Sequence, residues 1–350
     1  MATLKDVAAL AGVSTATVSL ALNGGPVNAK TRQLVLKAAK QLHYVPNRIG
    51  QMLTTGRSNM IGLIILTGSE FPDIVRKTSL FYYLMEGVLA VADKEGFGVS
   101  FAVKSHDDPL LPQYFAEIIG SGTIDGIAVI PQFAREYRFT NLLQEANYPY
   151  VLLRPSRFGI DANHVDMGNF EGGKMVAELL VDSGARRIGI INGPSSHVDA
   201  IERERGFGEA LLDRGGMIVA RQYGEFTIES GHAAMRKIAE RGLPEAVFCG
   251  NDYMAAGALR FLRSIGANCP KDIAIVGYDN NDVAIATDPQ LTTVDNRFFD
   301  LGYIMADEVI GLIRGNTSHV ARVVLPEMKL RESHLFGRSS ANAQPTSASA

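Results

Sequence analysis

The chain changes character at residue 57, and that change restricts its architecture more than any other feature. A short basic segment patterned for helices precedes a long stretch in which apolar strand-like runs alternate with amphipathic helical ones. In the first segment Thr3 stands three residues before Asp6, ahead of the apolar-periodic run Leu4, Val7, Ala8 and Leu10, which reads as a helix start with a capping box. Gly12 supplies a tight turn. Ser14 can cap a second helix that carries Val18, Ala21 and Leu22 inward and leaves Thr15, Ala16, Ser19 and Leu20 outside. Asn23-Gly24-Gly25-Pro26 is a loop signal, after which Asn28 can cap a third helix whose Val35, Ala38, Ala39 and Leu42 complete a small core. The unit ends at Tyr44, before Pro46. Two short helices at this spacing read as a helix-turn-helix.

Charge points the same way. Lys5, Lys30, Arg32, Lys37, Lys40, Arg48 and Arg57 oppose only Asp6, so the head carries +6 in a chain of formal charge −3 and the remainder carries −9. That asymmetry suits one end that neutralises phosphates and another that does not, and the expected partner of the head is double-stranded DNA. Between them Asn47 to Thr55, closed by Gly56, forms fewer than three helical turns, with Gly50 in the middle costing about 0.5 to 1 kcal/mol relative to Ala. Such a hinge is expected to be largely unfolded by itself.

Beyond Arg57 the apolar runs Ile61–Leu66, Val99–Val103, Gly126–Ile130, Tyr150–Leu153, Arg187–Ile191, Ala246–Cys249 and Ile273–Gly277 are separated by helical stretches at 82–94, 171–183, 203–214, 230–241 and 253–265. Continuous apolar strands alternating with helices indicate doubly wound parallel sheets covered on both faces, in two lobes, with a crossing between them at Asp161 to Asp166. Apolar composition is 46%, and no apolar stretch reaches the ~18 to 20 residues needed to span a membrane. The expected location is the cytoplasm, which also suits two isolated thiols, Cys249 and Cys269, without C-x-x-C spacing. The tail from 338 to 350 is polar and expected to be disordered.

Ligands of open parallel sheets sit beyond the carboxyl ends of the strands. There this chain places Arg154, Asp166, Asn192, Asn251 with Asp252, and Asp279 with Asn280, a set suited to a polyhydroxylated or heterocyclic ligand. For Asp252 and Asp282 a helix N-cap is an equal reading. Enzyme chemistry finds little support. Gly168 to Lys174 fits G-x-x-x-x-G-K, but Met175 follows where a phosphate loop needs Ser or Thr, and Glu171 would repel phosphate; the glycines are better read as allowing close helix packing. H-E-x-x-H and G-x-S-x-G are absent, and the histidines lack metal-ligand spacing. No enzyme activity, metal or cofactor is expected.

The run T-L-K-D-V-A-A-L-A-G-V-S-T-A-T-V-S-L-A-L-N from Thr3 to Asn23, with Y-V-P-N from Tyr44, resembles the LacI/GalR family of bacterial transcription repressors, and the resemblance extends to about Ser333. It implies an all-α helix-turn-helix head and two lobes of the periplasmic-binding-protein-like fold. The implied domains are a head at 1–45, a hinge at 46–57, a first lobe at 58–160 plus 292–319, and a second at 161–291 plus 320–337. Base-reading positions match Thr15, Ala16 and Leu20, where Leu20 departs from the usual Arg or His and suits a thymine methyl. Thr17, Asn23, Thr31 and Arg32 match backbone-contacting positions, and Leu53 matches a residue that wedges between base pairs in the minor groove.

In the body the resemblance rests on D-M-G-N-F-E-G-G from Asp166, R-E-R-G-F from Arg203, F-C-G-N-D from Phe248, V-G-Y-D-N from Val276 and L-T-T-V from Leu291. It implies effector contacts at Arg203 and Asp279, with Phe81, Asp166, Phe226 and Asn251 behind them and His197 and Asp199 as specificity positions. The segment from Phe71 to Tyr83 departs from the family's N-P-F-F stretch. The implied protein is a homodimeric repressor controlled by a sugar, with a tetramer as the alternative assembly. A purine or nucleoside, or a phosphorylated carrier protein, remain the alternatives.

Overall fold

The computed structural model describes residues 2–22, 24–44, 56–68, 80–132, 138–154 and 162–337. Residues 46–55 of the expected hinge, with Leu53, and Asn23 lie outside them, as does the tail. The head is three helices, α1 (Leu4–Ala11), α2 (Thr15–Leu22) and α3 (Ala29–Gln41). Thr3 and Asp6 form the reciprocal capping box, and Gly12 adopts the left-handed conformation that ends α1. Ser14 accepts from the backbone N–H of Thr17 at 3.1 Å, and Asn28 accepts from that of Thr31 at 2.8 Å. With their ends satisfied, α1 and α2 meet at 101° and bury Val7, Ala8, Val18 and Ala21 against Val35, Ala38 and Ala39 of α3.

Two six-stranded sheets make the body. The first contains β1 (Met60–Thr67), β2 (Gly98–Ser105), β3 (Gly126–Pro131), β4 (Tyr150–Leu153), β5 (His164–Asp166) and β11 (Ala321–Val323), in the order β11-β5-β4-β3-β1-β2. The second contains β6 (Arg187–Asn192), β7 (Met217–Tyr223), β8 (Ala246–Cys249), β9 (Ala274–Tyr278), β10 (Thr292–Asp295) and β12 (Glu327–Lys329), in the order β12-β10-β9-β8-β6-β7. The two wirings are equivalent, and every pairing is parallel except β10 with β12. Helices α4 (Leu80–Glu95), α5 (Leu111–Ser121), α6 (Arg138–Glu145) and α12 (Phe298–Arg314) cover the first sheet. Helices α7 (Asn169–Asp182), α8 (Val198–Asp213), α9 (Ile228–Ala239) and α10 (Asp252–Ser264) cover the second, and the short α11 (Asp282–Ala286) follows β9.

The chain passes between lobes three times, at Asp166 to Asn169, Asp295 to Phe298 and Val323 to Glu327. This corrects the expected division: 164–166 and 321–323 are strands of the first sheet, while 292–295 belongs to the second. The crossings come after β5, β10 and β11 rather than before them, and three- or four-residue strands carry too little pattern to show which sheet they join. Reciprocal glycines bring covering helices into backbone contact. A Cβ on Gly173 of α7 would lie 2.0 Å from the Arg203 carbonyl oxygen of α8, and one on Gly206 of α8 would lie 1.9 Å from that of Phe170. Gly87 and Gly302 play the same part between α4 and α12. Of the G-x-x-x-x-G-K pattern, Gly173 thus serves packing, while Gly168 takes the left-handed backbone, φ of 65°, from which α7 starts.

Candidate functional site

The strands β5, β10 and β11 lead at their carboxyl ends into the three crossings that border the cleft between the lobes. Arg203 of α8 is 5% exposed, its backbone set against Gly173 of α7 by the close packing of the two helices. Its Nε donates to Asn169 Oδ1 at 2.8 Å, Nη1 to the Gly250 carbonyl at 2.5 Å and Nη2 to Asp279 Oδ1 at 3.4 Å, while the guanidinium rests 4.0 Å over the Tyr278 ring. A planar charged group held on these sides has one orientation, which is what bidentate recognition requires.

Asp279 follows β9 with φ of 102°, and its Oδ1 also accepts from Asn296 Nδ2 at 2.9 Å. Burial raises its carboxyl above the usual range, with Arg203 and Asn296 opposing. Asn169 donates from Nδ2 to Asp199 Oδ1 at 2.9 Å. Burial pushes the Asp199 carboxyl up to about 6 against the lowering effect of Arg203. His197 is lowered to about 3 by burial and then by Arg203, so it is a neutral imidazole at pH 7. Its Nδ1 lies 4.0 Å from Asp199 Oδ2, and its ring meets Phe226 edge-on at 5.1 Å. Phe226 holds a left-handed backbone, φ of 59°, and its ring fills the space a Cβ on Gly193 would need.

Arg203, Asp279, Asp199, His197 and Phe226 are thus gathered on the second lobe. Asn251 lies beneath them: its Oδ1 accepts from the Met254 N–H at 2.9 Å and its Nδ2 donates to the Phe226 carbonyl at 3.1 Å, capping α10 and holding the Phe226 loop. Asp166 stands at the first crossing, where its side chain accepts from the Gly168 N–H at 2.9 Å and its carbonyl from the Val324 N–H at 2.8 Å. Phe81 belongs to the buried core of the first lobe. Asp252 caps no helix; fully buried, it accepts from the Thr293 hydroxyl at 2.6 Å and the Asn281 N–H at 2.9 Å. Asn281 caps α11, and Asp282 accepts at 3.1 Å from the Tyr83 hydroxyl of the opposite lobe.

Three buried polar residues escaped the sequence-derived site list. Gln132 follows β3, 4% exposed, and Asn296 forms part of the second crossing, fully buried; Gln132 Oε1 and Asn296 Oδ1 have no hydrogen-bond partner among the described residues. Arg154, flagged by its strand-end position but not assigned a contact, is 2% exposed at the end of β4. A polar residue directly after the apolar run of β3 was a signal for Gln132, whereas Asn296 becomes visible only once β10 is known to lead into a crossing. The Val198 N–H donates to the Gln132 carbonyl at 3.2 Å, so with Tyr83 and Asp282 the lobes touch on both flanks of the cleft.

On α2 the side chains of Thr15, Ala16 and Leu20 are exposed, Leu20 at 44%, to about the same degree as Leu10, Leu34 and Leu36 of the same head. Thr17 shares a 2.9 Å hydroxyl contact with Ser14, and Thr31 is partly buried at the start of α3. Arg32 donates from Nη1 to the Ala21 carbonyl at 3.0 Å and from Nη2 to the Gly25 carbonyl at 2.7 Å. It therefore fixes the end of α2.

A helix-turn-helix head on a two-lobed body with a polar cleft defines a ligand-responsive DNA-binding regulator. Residues 3–47 match the model of bacterial regulatory proteins of the lacI family, and 177–334 match a periplasmic binding protein-like domain. The chain is 34% identical over 348 residues to the HTH-type transcriptional regulator CelR of Thermobifida fusca, covering 97% of this chain and 98% of CelR. It is 33% identical to the HTH-type transcriptional repressor PurR of Pasteurella multocida, covering 95% and 98%. Among solved structures a CelR–cellobiose complex superposes with a TM-score of 0.70 at 33% identity, covering 95% of this chain and 100% of that one. The Lac repressor dimer bound to operator and the anti-inducer ONPF gives 0.82 at 26% identity, covering 96% and 99%. The chain belongs to the LacI family of bacterial transcription regulators.

Proposed function

We propose that this regulator is a homodimeric repressor whose affinity for a palindromic operator is set by a neutral carbohydrate bound between the lobes. The observation that carries this reading is the set of buried acceptors gathered around the fixed Arg203 guanidinium. Gln132 Oε1 and Asn296 Oδ1 are buried without a partner among the described residues, and the Asp199 and Asp279 carboxylates lie beside Arg203 with capacity to accept further bonds, a complement to a ligand rich in hydroxyl donors. Phe226 and the neutral ring of His197 add apolar faces for a pyranose ring. An anionic ligand would meet Asp166, Asp199 and Asp279 together. The CelR–cellobiose complex supports a carbohydrate, and cellobiose is the first probe.

Arg203, Asp279, Asp199, His197 and Phe226 are proposed to touch the ligand, with Asn251 holding Phe226 and Asp166 holding the crossing. Thr15, Ala16 and Leu20 are proposed to read bases, with Thr17, Thr31 and Arg32 facing the backbone. The dimer reading is supported by the Lac repressor dimer and by exposed apolar side chains on the equivalent edge strands, Phe101 and Val103 on β2 and Met217 and Val219 on β7. Its proposed work on DNA supports a cytoplasmic location. No single helix among the described residues is long and apolar enough to cross a membrane.

The similarity to PurR favours a purine as the second reading. Titration calorimetry with cellobiose, other disaccharides, hypoxanthine and guanine separates the two. Heat with a sugar and none with a purine is the expected result; the converse would overturn the carbohydrate assignment.

A further inference from the structure

Residues 57 to 60, which lead from the head into β1, are fastened to the first lobe by contacts that the fold alone does not require. Asp125 Oδ1 accepts from both the backbone N–H and the hydroxyl of Ser58, each at 2.9 Å, and its Oδ2 accepts from the Asn59 N–H at 2.8 Å. The backbone N–H of Asp125 donates to the Met60 carbonyl and that of Gly98 to the Asn59 carbonyl, both at 2.8 Å. Arg57 Nη2 donates to the carbonyl of Ile313, in the last turn of α12, at 3.1 Å.

The other end of α12 lies at the cleft. This helix starts directly after the crossing at Asp295 to Phe298, where Asn296 holds Asp279 and where Asp295 and Asp300 hold Arg297, φ of 55°. Its 17 residues span about 25 Å. Gly87 and Gly302 lock it against α4, and Arg314 Nη1 donates to Glu95 at the end of α4 at 2.6 Å. A rigid rod therefore runs from the cleft floor to the point where the chain leaves for the head.

We propose that Asp125, which precedes β3 beside Gly126 where that glycine packs on Val309 and Ile313 of α12, couples the cleft to the DNA-binding head by fastening Ser58 and Asn59 to the first lobe, while Arg57 holds the chain to the end of the rod through the Ile313 carbonyl. Asp125 touches neither DNA nor effector and is a positioning residue. With the fastening in place, a rotation of the first lobe displaces the chain at residue 57; without it, torsions in the exposed stretch from Gly56 to Asn59 absorb the movement. The inference rests on the proposed reading that head and cleft are linked, but its test needs no effector, because coupling is reciprocal and DNA must alter the crossings if the crossings alter DNA binding.

The probe is a palindromic duplex selected from a random pool by the full-length wild-type protein, and the readout is hydrogen exchange of peptides spanning 289–300 and 321–330. In wild type the duplex is expected to change exchange at these crossings several-fold. Asp125→Asn places an amide N–H₂ against the Asn59 N–H; it is expected to bind the duplex and melt like wild type while the remote change disappears. Ser58→Ala removes only a hydroxyl, cannot unfold the lobe and is expected to reduce the change partially. A purely structural Asp125 would lower the melting temperature and leave the remote change intact. Variants that transmit like wild type, or a wild type whose crossings ignore the duplex, overturn the proposal. A protein that binds no sugar yet shows the remote change contradicts the carbohydrate reading alone.

Discussion

Replacing Asp199 with Asn should make this protein more stable and less responsive. The folded protein raises the Asp199 carboxyl from 3.8 to about 6, so it holds that proton more tightly than the unfolded chain does. The folded state therefore bears no penalty from Asp199 below pH ~4, a growing one as the pH rises through 6, and the full one above it, up to about 3 kcal/mol. Asn keeps an oxygen for the Asn169 amide, which now donates at 2.9 Å, and never ionises. At pH 7.5 we expect Asp199→Asn to raise Tm by up to about 6 to 12 °C, and at pH 4 to leave it unchanged. His197 acts in the opposite sense, since a group lowered to about 3 costs stability as the pH falls below 6.5; it is common to both proteins and cancels in their difference. Losing a charged acceptor for a ligand hydroxyl should weaken cellobiose binding by about 10- to 100-fold. Thermal melts of both proteins between pH 4 and 8 give the answer. A constant Tm difference across that range, or a less stable variant at pH 7.5, would refute the reasoning.

Arg203→Ala leaves the Gly250 carbonyl without its donor and the buried Asp279 carboxyl without its cation, held only by Asn296, and should destabilise the body by about 3 to 5 kcal/mol as well as abolish sugar binding. Duplex affinity measured well below its Tm should stay near wild type, which gel-shift titration checks. Tyr83→Phe removes one hydrogen bond across the cleft and should weaken cellobiose binding about 2- to 10-fold with little change in Tm, read by calorimetry. Leu20→Ala should lower affinity for the selected duplex and relax its sequence preference at one thymine per half-site, as competition with substituted duplexes would show.

The head was legible because its signals are local. Thr3, Gly12, Ser14 and Asn28 act on backbone groups within a few residues, and the caps and the inward set Val7, Val18, Val35 and Ala38 appear as expected. Central strands such as Ile61–Leu66 were also readable, being buried on both faces. The edge strand β7 was not, because Met217 to Tyr223 alternates between exposed and half-buried positions. Helix α12 was passed over for a different reason: a long apolar pattern shows a helix without showing which lobe it covers, and its partner α4 lies more than 200 positions earlier in the chain. In the cleft, motif positions gathered around Arg203 on the second lobe, while Asn251 and Asp252 turned inward to hold loops. Sequence spacing names a strand end; only the packed structure shows whether the side chain there is spent on the protein or offered to a ligand.

The most direct test of the link between cleft and head is fluorescence anisotropy of the selected palindromic duplex, titrated with full-length protein at zero and at saturating cellobiose. We expect the duplex Kd to change by about 5- to 150-fold in wild type and to stay constant in Arg203→Ala. A sugar that binds the wild-type cleft in calorimetry yet leaves the duplex Kd unaltered would contradict the link.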